Sequence, residues 1–546
     1  MSPRLPARHG CPVAEHPPPL DQSQALSHPS KVARPVTIRF EELFAKRLSR
    51  IKPGLARVQE ANEQLGWISV RTPSIMIAGT NGKGTTSAFL WRLLSLAGLR
   101  CGLFTSPHLL SFAERIQMSG HPVTESDLER AIPGLVSRVD AGLWAELSFF
   151  EASLLLGFRV WEGRGSQVNV LEAGLGGRLD ATNIANPDLC IITSIGVDHA
   201  DYLGSSIDKI AFEKASIIRP GKPAVAGFEL RNPGDADAMR VIEAIAASRS
   251  APLLRLGRDF GIANTPDGVK FWFDPGRRLS GQPFRLEAPL PSFFDGAAPY
   301  LIENFCAAAA ALICWLRDKS GKAGQSFDGP RKITSLFEAF SAPGGPWSPV
   351  LCGRFHPVRV PDGARDREFL FDVCHNPHGA RRFVEALDRA FGEGATLPGI
   401  VSILNDKDIG GILDVLSGKL QPVVLFRISN DRGLKPDSIP VPYRDLPLAG
   451  DFTEATRILA AMPESASEPT PWVVCGSVMA VGEALGVVTG TDTGTTWRQS
   501  QTPRGPREAA LAAALELCHR VRDRDPSSIR LAGPDGPGPV AGARPV

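Results

Sequence analysis

One stretch of this chain limits its fold more than any other: Ile75-Met76-Ile77-Ala78-Gly79-Thr80-Asn81-Gly82-Lys83-Gly84-Thr85-Thr86. Four apolar or small residues read as a buried strand. A glycine-rich turn with one lysine follows, and then a helix pattern reaches Leu96 with Phe89, Leu90, Leu93 and Leu94 on one face. Strand, Gly-Lys-Gly-Thr turn and helix make a phosphate cradle: glycines let backbone N–H groups approach an anion, and the helix N-terminus adds positive potential. The segment Gly79, Thr80, Asn81, Gly82, Lys83, Gly84, Thr85 and Thr86 is therefore the candidate nucleotide-binding loop. Lys83 is placed to reach the β- and γ-phosphates and the Thr85 hydroxyl to hold Mg²⁺. The turn is shorter before its lysine than the general G-x-x-x-x-G-K-[ST] pattern, and Gly84 stands between Lys83 and Thr85.

The rest of the chain divides around this motif. A length of 546 residues suggests two domains with tails. Residues 1–35 are rich in Pro, Ser and His, lack an apolar run of the signal-peptide kind, and read as a disordered extension. From about Thr489 the composition turns to Gly, Thr, Pro and Arg, so 489–546 reads as a mostly disordered tail with one helix-like run, Arg507 to Val521. A net charge of +2 gives no case for a nucleic-acid partner. The longest apolar run, Phe305 to Leu316, is too short to span a bilayer. Nine cysteines without a C-x-x-C pair argue for reduced thiols, hence a cytoplasmic protein.

Between the tails, strands alternate with helices, which predicts an α/β protein with a doubly wound parallel sheet. Cys101–Phe104, Val168–Leu171 and Leu189–Ile195 read as strands, and Glu125–Val139 and Phe149–Trp161 as helices. In such sheets ligands sit outside the carboxyl ends of the strands. Lys83, Ser106, Glu172 and His199 each lie just past a strand end, so four segments are expected to converge on one edge. A second alternating set follows: strands Phe369–Phe371, Gly399–Leu404, Gln421–Ile428 and Pro471–Cys475, with a helix over Gly379–Phe391. The expected organisation is a P-loop domain over 36–325 and a smaller Rossmann-like α/β domain over 326–488, with the boundary in the polar stretch Arg317–Pro330. Residues 228–300 read as mixed hairpins and loops.

Several blocks together carry a resemblance. Gly79 to Thr85 resembles the P-loop of the Mur ligase superfamily. Thr105 to Leu109, Glu114-Arg115-Ile116 and the thirteen-residue block Leu171 to Asn183 are similar to the folylpolyglutamate synthase / dihydrofolate synthase family within it. So are Asp198-His199, Glu213-Lys214-Ala215, Gly353-Arg354-Phe355, Asp372 to Pro377, Asp406-Lys407-Asp408 and Gly476-Ser477, in order along the chain. The resemblance implies ATP-dependent amide formation between dihydropteroate or a folate and L-glutamate, with ATP and Mg²⁺ as cofactors; a monomer acting on small molecules is expected. It implies phosphate contacts from Lys83 and the loop amides, and nucleotide contacts from Asn304, Arg354 and Asp372. It implies a metal set of Thr85, Ser106, Glu172, His199 and Lys214, the lysine carbamylated, and catalytic roles for Lys83, His199, Lys214 and His375. A carbamate would offer hard anionic oxygens where an ammonium repels the cation.

The chain departs from the family where His-Gln usually precede the Asn, since Tyr300 and Leu301 stand there. It departs again in Asp372-Val373-Cys374-His375-Asn376-Pro377 and at Leu351-Cys352. Alternatives follow: another acid–amino acid ligase of the superfamily, or a non-catalytic nucleotide-binding paralogue. Other residues keep two readings. Glu151 is a substrate-facing or a satisfied buried carboxylate. Arg178 and Asp180 form a structural ion pair or act directly. Lys214 taken alone is a solvated helix lysine. His378 is a helix-start residue, His356 has no task, and a Cys374/His375 nucleophile pair is rejected because neighbours leaving a strand point apart. Phe104, Phe112, Phe149 and Phe150 are candidates to line a pterin slot, with core packing as the default.

Overall fold

A computed structural model describes residues 54–489 except 120, 232, 280–283, 323–328, 343–351, 363–364, 429 and 463–469. Both expected tails, and with them the helix-like run Arg507–Val521, lie outside the described residues.

The phosphate-cradle strand β1 (Ser74–Ala78) is buried along its whole length, which puts it inside a sheet covered on both faces. The first sheet adds β2 (Cys101–Phe104), β3 (Ile116–Met118), β4 (His121–Pro122), β5 (Val168–Glu172), β6 (Leu189–Ile192), β7 (Ala224–Ala226) and β8 (Leu253–Arg255). Its order is β4-β3-β2-β5-β1-β6-β7-β8. The six strands from β2 to β8 run parallel, and the β3–β4 edge is antiparallel. β1 sits between β5 and β6, so the segments leaving β1, β5 and β6 emerge side by side at one carboxyl edge.

The helix Lys83–Leu96 covers one face with Phe89, Leu90, Leu93 and Leu94, all fully buried. It packs beside a 24-residue helix, Pro299–Lys322. The latter contains a segment, Pro299–Lys319, long and apolar enough to cross a membrane by length and composition, so the apolar run is longer than Phe305–Leu316 suggests. Most of its apolar window, 78%, is buried inside the protein, and its alanines explain the fit. A Cβ on Gly227 would lie 2.7 Å from the Cβ of Ala307, so backbone and helix meet at closest approach.

The region 228–300 is more regular than its Pro and Gly content predicts. It holds the helix Pro233–Ser248 and an antiparallel sheet of β9 (Phe260–Thr265), β10 (Gly268–Phe273) and β11 (Leu286–Pro289). The helix Gly329–Ser341 then buries Ile333, Leu336, Phe337 and Phe340 in the same core as Phe89 and Phe271. We propose that the chain leaves the first body between Ser341 and His356 instead of within Arg317–Pro330, since this helix has its apolar face in the first core.

The second body is a six-stranded sheet of β12 (His356–Asp362), β13 (Arg365–Asp372), β14 (Leu397–Val401), β15 (Leu420–Phe426), β16 (Leu448–Ala449) and β17 (Trp472–Cys475), in the order β12-β13-β17-β14-β15-β16. Only β12 is antiparallel. Helices Pro377–Phe391, Ile409–Leu416, Phe452–Ala460 and Val478–Thr489 complete it. Leu109 and Leu110, from the loop after β2, are buried in this second core.

Candidate active site

The cradle is built by two glycines that nothing else could replace. Gly79 has φ +154°, and a Cβ there would fall 1.7 Å from the Thr193 hydroxyl. Gly82 has φ +84°, and its Cβ would fall 2.4 Å from Asn304 Oδ1. Both are the left-handed, close-approach positions where glycine is required. The turn is laced to the segment leaving β6. Thr80 N donates to the Ser194 carbonyl at 2.7 Å, the Thr193 hydroxyl to the Asn81 carbonyl at 2.7 Å, and the Gly196 amide to the Thr80 hydroxyl at 3.0 Å. The loop is thus held in place by protein hydrogen bonds.

Two lysines meet at one carbonyl. Lys83 Nζ donates to the Gly79 and Thr80 carbonyls, each at 3.1 Å, and Lys214 Nζ donates to the Gly79 carbonyl at 2.8 Å. Burial lowers the Lys83 pKa, with Glu172, Asp198 and Asp180 opposing. Lys214 is not the solvated helix lysine its helix position suggests: it is 4% exposed. Burial, then the nearby Lys83 charge, lowers its pKa to about 7. Glu172, at the end of β5, is buried and accepts the Ser106 amide at 2.9 Å. Burial raises its pKa, while Lys83, that amide, Arg354 and Arg115 pull it back. Thr85 is buried at the helix start, and the Thr86 hydroxyl donates to Asn304 Oδ1 at 3.2 Å.

The second body closes over this edge through a carboxylate that sequence reading left out of the site. Asp198 accepts from Lys407 Nζ at 2.7 Å and from Asn376 Nδ2 at 3.0 Å, and lies 3.5 Å from His375 Nε2. Burial raises its carboxyl, but His375, Lys407 and His199 together hold it well below the usual carboxylate range. His199, in a left-handed conformation at φ 53°, stands 3.4 Å from Lys407 Nζ. Burial and Lys407 lower its pKa to about 4, and burial likewise lowers that of His375, with the Asp198 contact opposing. The side-chain amides of Asn81 and Asn376 exchange hydrogen bonds at 3.1 and 3.0 Å. His378, read from sequence as a mere helix start, sits 2.9 Å from Asn81 Nδ2 through Nδ1. Its pKa is lowered to about 4 by burial, which leaves a lone pair for that donor.

Asp372 spends its oxygens on protein donors: Oδ2 takes the Tyr300 hydroxyl at 2.6 Å and the Phe355 amide at 2.9 Å, and Oδ1 the Cys374 amide at 2.9 Å. Tyr300, the departure from the family pattern, is therefore a contact between the bodies. Arg354 donates to its neighbour's carbonyl at 3.1 Å. Its charge is felt by Glu172 and His375, which places it on the same edge.

Other expectations resolve simply. Glu151 caps its own helix by accepting the Ser148 amide at 2.7 Å and pairs with Arg57, the satisfied-carboxylate reading. Arg178 pairs with Glu213 at 2.8 Å, not with Asp180; the Asp180 carboxylate instead accepts the Leu175 and Thr182 amides, because the tight turn places these donors nearer. Cys374 is buried and its thiol is pushed far up, first by its hydrogen bond with Cys475, so it is no nucleophile. Phe104 and Phe112 are buried core residues, whereas Phe149 and Phe150 are half-buried beside them at ring distances of 5.7 Å (Phe112–Phe149) and 5.4 Å (Phe104–Phe150).

Among the described residues no group of three or more His, Cys, Asp and Glu side chains forms a ready metal cage. The donors at hand are the buried Glu172, which accepts the Ser106 amide, and Thr85, buried at the start of the helix. That suits a Mg²⁺ held by one or two carboxylates and the phosphates of a nucleotide, and no all-protein site.

No protein-family model matches the chain. A curated dihydrofolate synthase/folylpolyglutamate synthase from Haemophilus influenzae is 40% identical over 408 residues, which cover 72% of this chain and 83% of that protein. The protein of the same name from Escherichia coli is 30% identical over 451 residues, covering 82% and 94%. A solved structure of the bifunctional folylpolyglutamate synthase/dihydrofolate synthase from Yersinia pestis, complexed with AMPPNP and Mn ion, aligns with a TM-score of 0.63 at 29% identity, over 82% of this chain and 96% of that one.

Proposed function

The chain belongs to the dihydrofolate synthase/folylpolyglutamate synthase family, and we propose that it is an ADP-forming ligase that joins L-glutamate to dihydropteroate, to a reduced folate, or to both. The observation that carries this reading is the edge where Lys83, Lys214 and Glu172 lie around the cradle while Asp198 draws in Lys407, Asn376 and His375 from the second body. A nucleotide cradle closed by a second α/β body is suited to transferring a phosphoryl group to a bound acid out of water.

The reaction runs in two balanced steps. A substrate carboxylate oxygen attacks the γ-phosphorus of ATP, the bond to the β-phosphate oxygen breaks, and an acyl phosphate and ADP result. The neutral amine of glutamate then attacks the acyl carbon, phosphate leaves, and the amine proton passes to solvent or a base. The protein's share is positioning and charge neutralisation. Lys83 and the amides of Gly79 to Thr86 take the phosphates. Asn304, held between Gly82 and Thr86, and Arg354 with the Asp372 loop take the nucleotide. Glu172, Thr85 and Ser106 would hold Mg²⁺, with His199 and Lys214 alongside. Bound there, the cation would neutralise phosphate oxygens.

The burial of Lys214 bears on its modification. Only a neutral amine adds to CO₂, forming an N–C bond and releasing one proton. A pKa lowered to about 7 keeps much of Lys214 neutral at physiological pH, whereas an ordinary lysine is almost wholly protonated there. We propose that Lys214 carries the carbamate. The half-buried Phe149 and Phe150, with Gly174 against the Phe150 ring, are proposed to flank the pterin.

The test is ADP release measured with ATP, glutamate and either dihydropteroate or tetrahydrofolate as acceptor, each omitted in turn. Turnover should require all three, and product mass should report one added glutamate. ADP release independent of the pterin acid would refute the folate reading.

A further inference from the structure

The loop from Thr105 to Ser111 touches both bodies, and one carboxylate shapes it. Glu114 is 2% exposed. It accepts the amides of Leu109, Leu110 and Ser111, each at 2.7 Å, two on Oε1 and one on Oε2. Its own carbonyl takes the Thr105 hydroxyl at 3.0 Å and Gln117 Nε2 at 2.8 Å. Burial raises its carboxyl, and the three amides and Arg115 oppose this. Three converging N–H groups need acceptor oxygens on both sides, which a carboxylate supplies.

The two ends of this loop do different things. At its start the Ser106 amide donates to Glu172 at 2.9 Å, beside the cradle. At its middle Leu109 and Leu110 are each 7% exposed, inside the core of the second body. The Leu109 carbonyl lies against the helix Val478–Thr489 so closely that a Cβ on Gly482 would fall 2.5 Å from its oxygen. Backbone meets backbone there, and neither side can yield by changing a rotamer. Movement of the second body must therefore move Leu109, and a loop pinned at three amides passes that movement to Ser106.

We propose that Glu114 is a positioning residue that stiffens the 105–111 loop, so that docking of Gly482 on Leu109 sets the Ser106–Glu172 contact at the metal side of the cradle. This rests on the assignment of Glu172 to the metal. The loop is then the element that reports closure of the second body to the phosphate end of the site. It fits a site that must stay inactive until both bodies meet, because otherwise water could take the phosphoryl group.

The experiment compares the full-length protein with Glu114→Gln and Gly482→Ala. Glu114→Gln keeps the shape but turns one acceptor oxygen into a donor facing N–H groups. Without ligand, amide exchange at 109–111 should quicken by about tenfold in this variant. Adding Mg²⁺ and ADP should slow exchange at 106–111 in the native protein. That slowing should vanish in Gly482→Ala, whose added methyl lies in the other body and whose helix propensity is improved. Both variants should need roughly five- to tenfold more Mg²⁺ for half-maximal turnover, with KM for ATP changed less than about twofold, and the double variant should be no worse than the poorer single one. Effects that multiply, or native-like slowing of 106–111 in Gly482→Ala, would overturn the link. If Glu114→Gln fails to fold, Gly482→Ala alone decides by the same exchange readout. Failure of the metal assignment looks different: Glu172→Gln would leave the Mg²⁺ midpoint unmoved, while exchange at 106–111 would still judge the link.

Discussion

At the scale of single residues, the site is a set of buried charges that only a nucleotide can reward. Lys83 donates to two carbonyls of its own loop at 3.1 Å, bonds that a phosphate would replace. Lys83→Ala should keep the fold, because the residue contributes no core surface, and should lower kcat by about 10²-fold or more through lost charge stabilisation. Circular dichroism with single-turnover kinetics checks both halves. Glu172→Gln keeps the shape and removes the anion, so the Mg²⁺ requirement should rise while nucleotide binding without metal persists. A metal titration with equal midpoints would remove Glu172 from that role. Lys214 makes a pH prediction. Its folded pKa is lowered to about 7 from the ordinary lysine value of 10.5, so between these values the unfolded chain binds more protons than the folded one. In CO₂-free buffer stability should therefore rise with pH from about 7 to 10.5. Lys214→Met should flatten that slope, as read from urea midpoints across the window; an unchanged slope would put Lys214 in contact with water. His199, with its pKa lowered to about 4 from an ordinary 6.5, adds its own rise in stability between those values, below the Lys214 window.

At the scale of elements, the helix Pro299–Lys322 does two tasks. Its apolar length fills the first core, and its first turns carry Tyr300 to Asp372 and Asn304 to Thr86. Tyr300→Phe removes one donor from a buried carboxylate that keeps the Phe355 and Cys374 amides. A loss of about 1–3 kcal/mol is expected, read by thermal unfolding, with a weaker KM for ATP if the Asp372 loop shifts. Elements of strong period were legible from sequence. The strands around Ile75–Ala78, Val168–Glu172 and Trp472–Cys475 are buried apolar runs, and such runs have few other places to go. The helix Pro233–Ser248 was not legible, because it begins at a Pro-Gly pair and its buried face is small alanines between larger residues. The antiparallel sheet of β9 to β11 was visible only as turn chemistry, and its partner helix, Gly329–Ser341, followed a polar stretch that imitates a linker.

At the scale of the whole molecule, the two bodies meet through polar side chains that come from separate motifs. Asp198 joins Lys407 at 2.7 Å with both side chains about nine-tenths buried. Breaking one partner leaves a buried charge, so Lys407→Met should open the protein, seen as a larger radius in small-angle scattering. With Asp198→Asn added, the loss should fall short of the sum by roughly 0.5–3 kcal/mol of coupling. Additive effects would mean the pair does not hold the bodies together. The sequence by itself determined the glycine-rich turn after β1, the parallel sheet around it and the family, because these rest on local rules: glycine where φ is positive, a lysine after a strand, apolar runs with a fixed period. It also named Asp198, Asn376 and Lys407 as members of motifs, yet gave them no partner. Which residue meets which was decided by the tertiary structure alone. Asn81 and Asn376 are 295 positions apart, and Lys407 and Asp198 are 209 apart. Pairing at such separations depends on how two sheets are docked, and docking is set by the summed burial of loops such as Leu109 and Leu110 in the other core, which no local pattern records.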